Sequence, residues 1–499
     1  MMELVRESIN NLDAALELRE LVLEKINKNK LNESFILEIF DEIDKLSLDE
    51  LIKLGSNFRK FPLGCDLVEI AVGPCSSTLT KEELLENCIL SDFFGFPIHI
   101  CGYAIADIAE KENLKPIDIL KEIYNNISVP IDIDHFGKYG PMRFPREITE
   151  CCGYCYYIGK AKGCPLGRIY KRLIDKEKEH KDEFLDWIKL SSSVCINVVE
   201  EQVEGHAPPL EEMRYVAKKA KEYNKVVEGI FHIGNGEDDL IEGIKACIDL
   251  DVDVFVVEGA PFNRGKDRLK TYAKAIVLSR ILCKGGVVGT NGAYEDELRI
   301  GLRAGLNVVL TGFPYNHHGY MVGYKPKEAK RGNFGLRRVI KIVREEIKNL
   351  NVRLIDKDII KAISYGNSFL RGEIYPNTLG NFYIGDAHWR VIYNSKLRNI
   401  FKTSKTIDEI EGKSIGLLGG RYISWTIAKK ADEVYISDKD LDVERLTIKI
   451  LNKNGINAYP CKGNDKKAIA MSDEAYITTF IPELAYKIKN KYKKAKLLF

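Results

Sequence analysis

Residues 226–259, VVEGIFHIGNGEDDLIEGIKACIDLDVDVFVVEG, decide how the chain is read. A Val- and Ile-rich run ends in a Gly-Asn-Gly turn, a segment with apolar residues at helical spacing follows, and a second Val-rich run closes the unit. Near-continuous apolar runs suit strands buried on both faces, and strands joined through a helix run parallel. The stretch is therefore a strand-helix-strand unit of a parallel sheet.

The same pattern extends in both directions. Strands are expected at Val129–Asp134, Val194–Val199, Val226–Ile233, Val252–Val257, Gly286–Gly289 and Asn307–Thr311, most followed by charged helical segments such as EEMRYVAKKAKEY or EDELRIGLRAG. The series begins with LVEIAVGPC near Leu67. No early strand carries a glycine-rich nucleotide loop, which favours a (β/α) barrel-like domain over 61–370 rather than an open sheet. Before it, Leu12, Leu16, Leu18, Leu21 and Ile36, Ile39, Ile43, Leu46 keep largely helical spacing, so residues 1–60 read as a helical cap. A connection at 371–412 leads to 413–499, where SIGLLGG, EVYISD, NAYPC and EAYITTF alternate with helices as in a doubly wound half. The fold class is thus α/β: an N-terminal helical segment, a central (β/α) barrel-like domain and a C-terminal Rossmann-like domain.

A chain of 499 residues exceeds what one core usually supports. With 75 Lys+Arg against 73 Asp+Glu the formal charge is +2, which gives no electrostatic reason for a nucleic-acid or anionic-membrane partner. No apolar stretch approaches the roughly 20 residues of a membrane span, and MMELVRESINNL lacks the order of a signal peptide, so a cytoplasmic protein is expected. The 12 cysteines then read as reduced thiols or ligands rather than a disulfide framework.

Four of them fall in DIDHFGKYGPMRFPREITECCGYCYYIGKAKGCP, residues 132–165. Cys152 and Cys155 form a Cys-x-x-Cys turn, Cys164-Pro can close a shell and Cys151 is a spare, an arrangement able to hold iron or an iron-sulfur cluster. The alternatives are thiols that fill core volume, or redox and nucleophilic use.

In parallel α/β folds ligands sit beyond the carboxyl ends of strands. The first polar residues there include Asp134, His135, His232, Asn291, His317 and His318, a set suited to acid-base chemistry or to a divalent ion. A lone strand-end histidine otherwise caps a backbone carbonyl. In the last segment Gly419 and Gly420 lie in the first strand-to-helix turn and Asp438 ends the second strand, where an acidic side chain can hold the ribose of an adenosine-containing cofactor. The glycine pattern is not G-x-G-x-x-G, and a structural half used for subunit contact is the alternative.

Together the length, the IDHFGKYGPMRFPREIT segment with its cysteines, GNGEDD, FPYNHHGY and the terminal Rossmann-like piece resemble the HmdC proteins, also called HcgG, of hydrogenotrophic methanogens. The resemblance covers most of the chain. It implies maturation or biosynthesis of the iron-guanylylpyridinol cofactor of the cluster-free iron hydrogenase, at a step concerning the iron, its carbonyl ligands or the acyl group. A small-molecule precursor, other maturation proteins or the hydrogenase, and a homo-oligomer are the partners expected. A barrel methyltransferase acting on a pterin or corrinoid, and a non-enzymatic iron or cofactor scaffold, are the competing readings.

Overall fold

The computed structural model describes residues 2–28, 32–60, 63–75, 79–94, 96–127, 129–134, 136–137, 140–141, 183–198, 210–233, 237–259, 267–291, 294–312, 336–347, 353–355, 410–419, 428, 430–478 and 482–497. The central sheet contains β1 (Leu67–Gly73), β2 (Ile98–Cys101) and β3 (Ile131–Asp134), followed by a short hairpin of β4 (Phe136–Gly137) and β5 (Gly140–Pro141). It continues through β6 (Ser193–Asn197), β7 (Val226–Ile233), β8 (Val254–Gly259), β9 (Val287–Asn291) and β10 (Val308–Gly312).

Each of these sheet strands pairs in parallel with the next, and β10 returns to β1 with Glu69 opposite Val308 through Gly73 opposite Gly312. The eight strands therefore form a closed barrel, which removes both edges. A short β11 (Arg353–Ile355) adds to the amino end of β1. The six strands expected from the apolar runs and the one expected at Leu67 are present, and the four-residue β2 is added to them.

Closure at the β10–β1 seam rests on a buried arginine. Arg280, 1% exposed, donates to the carbonyls of Gly286 and Cys65 and to Asn307 Oδ1, while Asn307 Nδ2 also reaches the Cys65 carbonyl at 2.9 Å. One guanidinium thus joins the chain ahead of β9, β10 and β1. Its helix, Arg268–Leu282, is buried at every position from Tyr272 to Leu282. A helix buried all round needs cover on both sides.

The helical cap supplies the outer cover. It comprises α1 (Met2–Glu7), α2 (Leu12–Asn27), α3 (Glu33–Asp44) and α4 (Leu48–Arg59), the last opened by a Ser47–Glu50 capping box. Arg19 donates to the carbonyls of Ile281 and Lys284 at 2.9 Å each, and Arg59 to that of Leu306 at 2.6 Å. Gly55 of α4 lies so close to the helix Glu295–Ala304 that an added Cβ would stand 1.9 Å from the Ala304 carbonyl oxygen. Cap and barrel share one hydrophobic core.

A second sheet is built from β12 (Ser414–Leu418), β13 (Glu433–Ser437), β14 (Asn457–Pro460), β15 (Glu474–Ile477) and β16 (Lys496–Leu497). Its order, β14-β13-β12-β15-β16, is all parallel and reverses direction at β12, as in doubly wound folds. The helix Leu441–Lys453 places Val443 and Leu446 in the main core. It also carries ion pairs to the cap: Asp442 with Lys60 at 2.7 Å, Arg445 and Lys449 with Asp13 at 2.9 and 2.7 Å, and Lys453 with Glu20. Among the described residues no helix is long and apolar enough to cross a membrane.

Candidate functional site in the barrel interior

A closed eight-stranded parallel barrel is ordinarily filled by layers of Val, Ile and Leu. Here the strands β1, β2, β3, β6 and β7 carry polar residues into the interior. Glu69, His99, Asp132, Ser193, Cys195 and Glu228 line one cavity of about 40 Å³, faced on the other side by Ile230, Val256, Val308 and Leu310. Its lining runs from Pro97 and Pro130, which precede β2 and β3, to Thr290 and Leu310 within β9 and β10.

Register creates the cluster. His99 stands opposite Asp132, Asp132 opposite Ser193, and Cys195 opposite Glu228. His99 Nδ1 lies 2.6 Å from Asp132 Oδ2 and its Nε2 lies 2.9 Å from Asp134 Oδ2, so both ring nitrogens meet carboxylates. Ser193 Oγ donates to the other oxygen of Asp132 at 2.8 Å. The side chain of His99 is 5% exposed and that of Asp134 is 0% exposed.

Burial alone pushes the His99 ring toward neutrality, but the Asp134 charge and the hydrogen bonds to Asp132 and Asp134 outweigh it and hold its pKa well above the imidazole range. An imidazolium with a carboxylate close to each ring nitrogen fits this arrangement. Burial, with the Asp132 charge added, raises the carboxyls of Glu69 and Glu228 well above the carboxylate range; His99 only partly offsets this at Glu228. The Cys195 thiol is raised by burial and then by Asp132 and Glu228. Burial thus disfavours charge on Glu69, Glu228 and Cys195, which stand beside the Asp132–His99–Asp134 group. Donor atoms of Asp132, Cys195 and Glu228 all lie within 4.8 Å of one another.

Of the strand-end residues expected to form the site, Asp134 is brought into the barrel and bonded to His99. His232 lies on β7 in register with Glu258, and Asn291 lies on β9 in register with Leu310. His135, His317, His318, Gly420 and the cysteines Cys151, Cys152, Cys155 and Cys164 lie outside the described residues. The described cysteines, Cys65, Cys75, Cys88, Cys101, Cys195, Cys247, Cys283 and Cys461, are buried, and burial pushes the Cys75 thiol up to about 12. In the second sheet the Gly419 amide donates to the Ser437 carbonyl at 2.8 Å, joining the carboxyl ends of β12 and β13. Asp438 is 4% exposed and its Oδ1 accepts from the Asp440 amide.

Sequence reading missed His99, Glu69, Cys195 and Glu228, because it examined the first polar residue beyond each strand. The signal was inside the strands: LVEIAVG, IHIC, IDID, SVCIN and VVEGIFHI each interrupt an apolar run with polar residues. In a strand a single such residue has a face, and in a closed barrel one face is the interior.

The sequence matches the family described as "FeGP cofactor biosynthesis protein, fibrillarin family" over residues 1–498. The chain belongs to that family. FeGP is the iron-guanylylpyridinol cofactor. An uncharacterized protein of Methanocaldococcus jannaschii is 67% identical, covering 100% of this chain and 99% of the relative. One of Methanothermobacter thermautotrophicus is 43% identical over 99% of both. Among solved structures, methylornithine synthase covers 68% of this chain and 99% of its own at 12% identity and a TM-score of 0.44. A type I 3-dehydroquinate dehydratase from Clostridium difficile covers 57% and 95% at 12% identity and a TM-score of 0.40.

Proposed function

We propose that this chain acts on a small-molecule precursor of the iron-guanylylpyridinol cofactor, at the step that handles the iron, a carbonyl ligand or the acyl group, and that the barrel interior is its working site. The observation that supports the reading is the polar lining of a closed barrel, where Val, Ile and Leu would have given a more stable core. Groups that raise the folding cost are expected where they serve chemistry.

The chain's own residues divide the work. His99 fixes Asp132 and Asp134 from its two ring nitrogens, and Ser193 fixes the remaining oxygen of Asp132. Oriented charges in a dry interior act on a bound group more strongly than in water and need no rearrangement during reaction. The barrel wall and its apolar side keep water from a reactive intermediate. The cysteines Cys151, Cys152, Cys155 and Cys164 belong to the reading as ligands of iron or an iron-sulfur cluster. An adenosine-containing cofactor belongs to the reading as a ligand of Gly419, Gly420 and Asp438. Other maturation proteins or the hydrogenase receive the product.

The test is anaerobic assembly of the cofactor in an extract lacking this chain, followed by infrared detection of iron-bound carbonyls. Assembly that stops without the chain and resumes on its addition, with several cofactors formed per chain, is expected. Full assembly in its absence contradicts the proposal.

A further inference from the structure

We propose that Asp132, Cys195 and Glu228 form a binding site for one divalent transition-metal ion in the middle of the barrel, with Glu69 as the fourth donor. This deepens the reading of the barrel as the working site and rests on it, since the ion would be the iron handled there.

The first argument is donor geometry. The three ligand atoms come from adjacent strands β3, β6 and β7 and lie within 4.8 Å of one another. Metal–oxygen and metal–sulfur bonds of roughly 2.0–2.3 Å put such atoms about 3.5 Å apart, so side-chain rotation of about an ångström closes the site. The second argument is independent: Glu69 lines the same cavity, is 2% exposed, and its Oε2 is buried with no hydrogen-bond partner among the described residues. A buried carboxyl oxygen left unbonded is costly, and a cation in the cavity would satisfy it.

Charge and donor type fix the class of ion. The site has one sulfur and several carboxylate oxygens, which suits Fe(II), Co(II) or Zn(II); Mg(II) and Ca(II) take oxygen alone. His99 and Ser193 hold Asp132 in place through its two oxygens, as outer hydrogen bonds hold ligating carboxylates in metal sites. The cavity of about 40 Å³ has room for the ion and a water or a small ligand. Three or four protein donors leave an open position, the arrangement of sites that act on a bound group rather than merely brace the fold.

The test is anaerobic titration of the full-length protein with Co(II), whose thiolate charge-transfer band reports sulfur ligation, and with Fe(II) by equilibrium dialysis. No cofactor precursor is needed, so failure here is separable from failure of the assembly assay. The variants are Cys195→Ser and Glu228→Gln, each shown to be folded by circular dichroism and a cooperative melt, with Cys155→Ser as the comparison at the other cysteine cluster. We expect a thiolate band that Cys195→Ser abolishes and Cys155→Ser leaves intact. Affinity should fall by about 100-fold in Glu228→Gln and about 10–100-fold in Ser193→Ala. Absence of binding to the folded protein overturns the proposal. So does a band that survives Cys195→Ser, or is lost only in Cys155→Ser.

Discussion

His99 Nδ1 and Asp132 Oδ2, opposite one another on adjacent strands, are 2.6 Å apart inside a closed barrel. With Asp134 on the other ring nitrogen, one imidazolium faces two carboxylates, Asp134 fully buried and Asp132 half-buried. Removing one member leaves charge uncompensated, at a cost of roughly 3–5 kcal/mol. His99→Gln should therefore destabilise the protein by about that amount, whereas adding Asp132→Asn should cost clearly less than the sum of the single changes. Denaturant unfolding of the two single variants and the double variant measures this; strict additivity would mean the contact is not energetically coupled.

Gly55 makes the contact that seats the cap. Gly55→Ala drives a methyl group into the Ala304 carbonyl, which is backbone and cannot swing away. A loss of roughly 3 kcal/mol is expected, read as a lower midpoint in thermal unfolding. An unchanged midpoint would show that α4 does not pack as described.

Arg280 is the seam. Arg280→Met keeps the volume but removes the guanidinium that ties the carbonyls of Gly286 and Cys65 to the amide oxygen of Asn307, leaving each only its weaker second donor. The expected loss is about 1–3 kcal/mol, and Arg280→Lys should recover little because an ammonium cannot present the planar fork. Hydrogen exchange at β1 and β10 should accelerate first.

Glu474 gives a pH dependence for the second sheet. Hydrogen bonds from Lys496 and then Tyr476, with Lys413 beyond, lower its carboxyl to about 2 from the usual 4.5. A depressed folded pKa contributes stability that is complete above about 4.5 and lost as pH falls toward 2. Being partly solvated, the group is worth only about 1 kcal/mol. Glu474→Gln should melt lower than the parent at pH 6, and the gap should narrow from pH 4.5 downward; a gap independent of pH would contradict the assignment.

The sequence made the barrel legible because its strands are apolar on both faces and spaced by amphipathic helices, and closure followed from the lack of a nucleotide loop. The Val226–Gly259 unit shows this best: both strands and the helix between them are where the apolar periods put them. The four-residue β2 escaped because IHIC is too short to show a period. The site was half legible. Asp134 was identified as a strand-end group, but its partner His99 sits within β2, and only the pairing of β2 with β3 brings the two together. Glu69, Cys195 and Glu228 look like isolated polar residues in hydrophobic runs until the barrel is closed. The meeting of β1, β3, β6 and β7 around one cavity is a property of shear and register, which no local window contains.

The most direct test of the barrel interior as the working site uses a substitution that the resting structure should tolerate. Burial disfavours a charge on Glu228, and Glu228→Gln keeps the size and shape of the side chain. In the anaerobic assembly assay this folded variant should leave cofactor formation at background, while Glu38→Gln on the exposed face of α3 should support full formation. Normal cofactor formation by Glu228→Gln would place the chemistry outside the barrel and contradict the account.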